Sequence, residues 1–180
     1  MSEPIRAFFA ARVPDTVATE LEAAARTIRI QGVRPVPAKR IHLTLRFIGP
    51  ASAQQILLLK KGADQVAKRN RAIKLRIGDL DAFPARRPTV VAAAVDEKPM
   101  LTGLATDLEL LSQSAGFKRE QRRFRPHITV ARLKGVGASS VQTLSFSGAF
   151  DVTEIVLFQS ELTPDGPIYR VLHTAKLLDR

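Results

Sequence analysis

The chain has 180 residues, of which 45% are hydrophobic and 25% charged, a globular rather than a disordered balance, and the length suits one domain or two small lobes sharing a core. A formal net charge of +11 points either to a polyanionic partner such as RNA or DNA, or a phosphorylated substrate, or to no more than a solvated basic surface, and composition alone does not separate the two. The absence of cysteine removes disulfides and thiolate metal sites, and no window holds the roughly 18 apolar residues of a membrane span or a secretory signal pattern, so a soluble cytoplasmic protein is expected.

In chain order, "IRAFFAARV" (Ile5 to Val13) reads as a strand closed by Pro14. Val17, Leu21, Ala24 and Ile28 then recur at helical spacing, with Pro14 and Asp15 at the start and Gly32 at the end. Pro35 and Pro37 make a connector before a strand from Ile41 to Ile48. "ASAQQILLLKKGADQVAKRN" predicts a second helix with Ser52 as its cap. "AIKLRIGDLDAF" alternates as a strand, and "PARRP" is a basic loop. The order then restarts: "TVVAAAV" is a β-branched strand, followed by a helix with Leu101, Leu104, Leu108 and Leu111 that ends at Gly116. The basic segment "FKREQRRFRP" leads into a strand from His127 to Leu133. "VQTLSFSGAF", "DVTEIVLFQSEL" and "PIYRVLHTAKLL" read as three further strands, the last two joined by the turn "TPDG".

Two of the three histidines head the same tetrapeptide, "HLTL" at His42 and "HITV" at His127, 85 residues apart. The same offset moves Arg6 to Val91 in the second opening strand, and Arg40 and Arg125 each stand two residues before their histidine. Each half therefore runs strand, helix, connector and His-headed strand, an internal duplication with halves at approximately 1–88 and 89–180. The duplication predicts two pseudo-symmetric lobes within a single 1–180 domain.

In a strand, residues two apart share a face and lie roughly 6.6 Å from each other. His42 and Thr44 thus point one way with Leu43 and Leu45 in the core, and His127 and Thr129 point one way with Ile128 and Val130 buried. Two imidazoles and two hydroxyls facing one cleft suit phosphodiester chemistry. A neutral histidine takes a proton from the attacking oxygen and a protonated one supplies the leaving oxygen, while the threonines donate hydrogen bonds to the phosphate. Two histidines without cysteines or clustered carboxylates make a poor metal site, so neither a metal nor a cofactor is expected. His173 lacks a partner motif and reads as a structural or surface histidine.

The paired motifs, with "IRAFFAARVPDTV", "HLTLRFIG", "FRPHITVAR" and "SELTPDGPIYRVL" in this order almost end to end, resemble the RNA 2′,3′-cyclic phosphodiesterases, also called the 2′-5′ RNA ligase family, of the two-histidine phosphoesterases. The resemblance implies an α+β, bilobed fold, two pseudo-symmetric halves each with an antiparallel sheet and outer helices around a central cleft, and metal-independent hydrolysis of an RNA 2′,3′-cyclic phosphate to a 2′-phosphate. It also implies His42 and Thr44 as the first motif and His127 and Thr129 as the second, with His42 the proton donor and His127 the proton acceptor. It further implies Arg132 as a phosphate or nucleotide contact. Arg132 stands at an odd offset of five from His127, so a regular strand aims it at the opposite face unless a bulge or the strand's end turns it back. Arg46, at an even offset from His42, has the parity of a site residue.

Lys118, Arg119, Arg122, Arg123 and Arg125, and Arg86 and Arg87 in the loop between halves, are candidates to hold an RNA backbone, Arg123 and Arg125 foremost. Phe83 and Phe124 are read as core, with base stacking the alternative. The expected partner is RNA with a 2′,3′-cyclic phosphate end, tRNA fragments among the candidates, or a cyclic nucleotide; no obligate protein partner is evident. The alternatives are 2′-5′ ligation of tRNA half-molecules, which the resemblance allows, and a non-catalytic RNA-binding module of the same fold.

Overall fold

A computed structural model of the chain describes residues 3–137, 140–164 and 166–179. The elements in chain order are β1 (Ile5–Arg12), α1 (Asp15–Arg26), β2 (Val33–Pro35), a 3-10 turn (Ala38–Arg40), β3 (His42–Ala51), α2 (Ala53–Ala67), β4 (Ile73–Phe83), β5 (Val90–Val95), α3 (Pro99–Ser114), β6 (His127–Leu133), β7 (Gly148–Val152), β8 (Glu154–Thr163) and β9 (Gly166–Lys176).

Local chemistry explains most of these boundaries. Ser52 and Gln55 form a capping box at α2: the Ser52 hydroxyl accepts from the Gln55 amide at 3.2 Å, and the Gln55 side chain accepts from the Ser52 amide at 3.0 Å. Gly116, at φ +88, ends α3 as its sequence position predicts. The first helix stops earlier than expected, at Arg26. Beyond it, Gly32 turns the chain at φ +91 into the unexpected short strand β2, where an added Cβ would lie 2.3 Å from the Lys134 carbonyl oxygen. The strand expected from Val141 begins only at Gly148. Before it, the Phe146 amide donates to the Asp79 carboxylate at 3.2 Å and Leu144 forms an isolated bridge to Leu80. Thr163 pairs with Gly166 across the expected "TPDG" turn; Asp165 lies outside the described residues.

The strands form one mainly antiparallel sheet in the order β7-β4-β5-β6-β3-β1-β8-β9, with β2 added alongside β6. The two wings meet where the His-headed strands β3 and β6 pair, with Leu43 opposite Ile128. Each wing has its own helical cover: α1 packs against β2, β6 and β7, whereas α2 packs on β8 and β9 and α3 on β3. Leu21, Leu43, Leu59, Leu75, Leu104, Leu108 and Ile128 belong to one continuous core, so the wings are not separately cored.

The wings are not the sequence halves. β4, from before residue 88, pairs with β5 and β7, whereas β8, from the second half, pairs with β1. Each repeat contributes a strand–helix–strand unit whose helix crosses to cover the other wing. The expected alignment of Arg6 with Val91 also shifts: Arg12 pairs with His42 and Ala94 with His127, so Arg12 and Ala94 are the equivalent positions. The segment between opening strand and His-headed strand is longer in the second repeat.

Candidate active site

Antiparallel pairing with Leu43 opposite Ile128 fixes everything around it. Both side chains are fully buried, so their neighbours point to the other face, and the register sets His42 toward Thr129 and Thr44 toward His127. The pseudo-twofold axis passes through this pair. Neither threonine hydroxyl has a hydrogen-bond partner among the described residues.

The two imidazoles are held in the same way. His42 Nδ1 lies 2.7 Å from the Arg40 carbonyl oxygen, and His127 Nδ1 lies 2.8 Å from that of Arg125. A carbonyl only accepts, so Nδ1 carries the hydrogen and Nε2 is left to exchange protons in the cleft. The expectation that Arg40 and Arg125 are equivalent thus acquires a cause: their backbones fix the tautomers. A further residue, invisible to motif reading, supports the first of these carbonyls. Glu22 of α1 accepts from the Ala38 amide at 2.7 Å, tying down the 3-10 turn that ends in Arg40. That amide, followed by Arg26, holds the Glu22 carboxyl below its usual range.

The environments of the histidines differ. His42 packs among Phe8 (ring centroids 5.0 Å), Tyr169 (5.2 Å, edge-on) and Phe158 (6.4 Å). Its pKa is lowered, first by this desolvation and then by the positive charges of Arg132 and His127, against the opposing hydrogen bond to Arg40. His127 stacks on Phe83 at 4.4 Å, and the Arg125 guanidinium lies 5.2 Å from the same ring. Phe83 is therefore a cleft residue, contrary to the core expectation, whereas Phe124 packs against the core as expected.

The two arginines singled out by parity exchange places, and bulges are the reason. On β6, Thr129 pairs with Ala92 but Ala131 pairs with Val91, so Val130 is an extra residue. Val130 and Ala131 are both buried, the alternation is reset, and Arg132 returns to the face of His127 and Thr129. On β3, Thr44 pairs with Ala10 but Arg46 pairs with Phe9, which makes Leu45 the equivalent extra residue. Arg46 is thereby turned to the helix face. There its Nε pairs with Glu109 of α3, and its Nη2 donates to the Lys118 carbonyl at 2.9 Å. It is not a cleft residue, and the reading of Arg46 as a substrate contact is corrected. Phe47 takes the position equivalent to Arg132. The trace of the β6 bulge was present in the sequence as two successive apolar residues between Thr129 and Arg132; on β3, Arg46 occupies the second of them and conceals it.

Arg132 forms no ion pair among the described residues. Arg125 lines a cavity of about 200 Å³ beside His127, together with Phe83, Asp79, Asp81 and Glu97. Arg123, on the exposed rim, is paired with Glu97 at 2.8 Å. Lys118, Arg119, Arg122, Arg86 and Arg87 are exposed. His173 turns to the helix side, where its Nε2 lies 2.7 Å from Asp64 of α2, a structural placement. Among the described residues no group of three or more His, Asp or Glu side chains is arranged to hold a metal, and no helix is long and apolar enough to cross a membrane.

Comparisons with known proteins agree with this architecture. The chain is 30% identical over 175 residues to the RNA 2′,3′-cyclic phosphodiesterase of Archaeoglobus fulgidus, covering 93% of this chain and 98% of that protein. It is 32% identical over 162 residues to the enzyme of the same name from Escherichia coli, covering 89% of each. Among solved structures, Thermus thermophilus TT0787 superposes with a TM-score of 0.88 at 28% identity, covering 97% of this chain and 99% of that one. Escherichia coli LigT complexed with 3′-AMP superposes with a TM-score of 0.83 at 27% identity, with the same coverage. With the family profile matching residues 13–163 as well, the chain belongs to the 2′-5′ RNA ligase superfamily.

Proposed function

We infer that the chain is an RNA 2′,3′-cyclic phosphodiesterase, a reading supported by the relatives of that name at about 30% identity over most of its length. The observation that carries its mechanism is the matched pair of histidines, each tied through Nδ1 to a backbone carbonyl on one face of the sheet. Water enters beside His127, whose Nε2 takes its proton as the oxygen attacks phosphorus. The bond from phosphorus to O3′ breaks, and Nε2–H of His42 supplies the proton that O3′ needs, leaving a 2′-phosphate. Thr44, Thr129 and Arg132 stabilise the charge that builds on the non-bridging oxygens.

Burial and neighbouring cations favour neutral His42 in the free protein, whereas a donor must be protonated. The phosphodiester anion supplies the opposing charge, so substrate binding itself prepares the donor. Arg125 and Arg123 extend the positive field along the rim toward the rest of an RNA end, tRNA fragments included. The cysteine-free composition supports a cytoplasmic location.

Supplying 2′,3′-cyclic AMP and separating the products tests the reaction: 2′-AMP is expected, and 3′-AMP or no product overturns it. Adding RNA fragments with 5′-hydroxyl ends to the same assay shows whether a 2′-5′ linkage forms as well.

A further inference from the structure

His127 is held by two groups. Its Nδ1 meets the Arg125 carbonyl oxygen at 2.8 Å, and its ring stacks on Phe83 with centroids 4.4 Å apart and planes 30° from parallel. The hydrogen bond fixes one point of the imidazole and leaves the ring free to swing about it. The stack fixes the plane, so the two together set the direction of Nε2. Arg125 braces both, since its carbonyl takes Nδ1–H while its guanidinium lies over the same Phe83 ring at 5.2 Å. His42 is packed differently: Phe8 lies farther off and more tilted, at 5.0 Å and 36°, and Tyr169 meets the imidazole edge-on. The contrast suits opposite tasks. A base gains a positive charge, which the negative face of an aromatic ring attracts, whereas a donor gives its charge up, which desolvation favours.

We propose that Phe83 is a positioning residue of the base: its π-face orients the His127 imidazole and stabilises the imidazolium that forms as Nε2 takes the proton from the attacking water. This rests on the hydrolase reading with His127 as the proton acceptor. The water O–H bond breaks, its electron pair forms the bond to phosphorus, and the proton passes to the Nε2 lone pair. A positive charge thus appears on a ring stacked against Phe83. No carboxylate takes up that charge directly. Asp79, Asp81 and Glu97 line the adjoining cavity, but among the described residues none pairs with His127, and Arg125 and Arg132 carry the same sign as the imidazolium. The quadrupole of Phe83 is the attractive group in contact.

The test places one, two and five fluorine atoms on the Phe83 ring, which keeps its shape while draining electron density from its face. With 2′,3′-cyclic AMP, kcat is expected to fall stepwise, by about tenfold at five fluorines, with KM within about twofold of wild type. Phe83→Leu, which has bulk but no π-face, is expected to lose at least as much kcat with the fold intact by circular dichroism. Equal kcat across the fluorine series overturns the proposal, as does a rise in KM with kcat unchanged. If wild type turns over no cyclic phosphate, the hydrolase reading fails, and carbethoxylation of His127 by diethyl pyrocarbonate, followed at pH 8 by mass spectrometry, still decides the role of the ring. Attack of Nε2 on that reagent likewise places positive charge on the imidazole. Slowing in the same fluorine order supports the proposal, and one rate throughout the series overturns it.

Discussion

Arg132 and His42 lie on the same side of the seam between β6 and β3, and the guanidinium charge contributes, after burial, to the low pKa of the imidazole. The guanidinium thus adds to the burial that lowers the His42 pKa, and in the proposed mechanism the same cation meets the phosphate. Arg132→Ala is expected to raise the His42 pKa part of the way to its ordinary 6.5, because desolvation remains, and to lower kcat/KM about 100-fold. Ring-proton NMR titration and steady-state kinetics read the two effects; an unmoved His42 resonance would refute the coupling.

In the proposed mechanism, replacing either histidine removes one end of the proton relay. His42→Ala and His127→Ala are each expected to slow turnover of a cyclic phosphate by about 10² to 10⁴-fold with the fold intact by circular dichroism. Near-normal turnover in either variant would show that the pair is not catalytic. Activity is expected to persist in EDTA.

The pH–rate profile discriminates the roles. If His42 is the proton donor, kcat/KM declines as pH rises through its depressed pKa, placing the alkaline limb below 6.5. Arg132→Ala then moves that limb upward. A rate that instead climbs through this region assigns His42 as the base.

Stability carries the same signature with a definite sign. Folding lowers the His42 pKa, so below its ordinary 6.5 the unfolded chain binds the proton more readily. The contribution is therefore complete above that pH and is lost as pH falls through the folded value. Urea unfolding at pH 8 and pH 5 is expected to show a smaller loss of stability on acidification in His42→Phe than in wild type.

Arg46 is the control for the arginines. Its partner Glu109 also accepts from the Glu120 amide at 3.1 Å, so the pair anchors the start of the basic segment to α3. Arg46→Met strands a largely buried carboxylate and is expected to cost about 2 kcal/mol, between the values for exposed and fully buried pairs. Turnover of a cyclic mononucleotide by the folded variant is expected to stay within about twofold of wild type. A 100-fold loss would return Arg46 to the cleft.

Local patterning determined a great deal. Alternation alone placed His42 with Thr44 and His127 with Thr129, and buried Leu43 and Ile128 between them. The duplication identified the two strands as equivalent, and the cap at Ser52 and the glycine beyond α3 were readable because they depend on a few adjacent residues. Tertiary structure decided what depends on partners distant in sequence. The exchange of β4 and β8 between wings follows from sheet pairing, which no single segment encodes. The faces of Arg46 and Arg132 follow from extra residues at Leu45 and Val130, defined only against β1 and β5. A strand's period of two carries facing information reliably until one residue goes unpaired, and beyond that point only the neighbouring strand says which side is which.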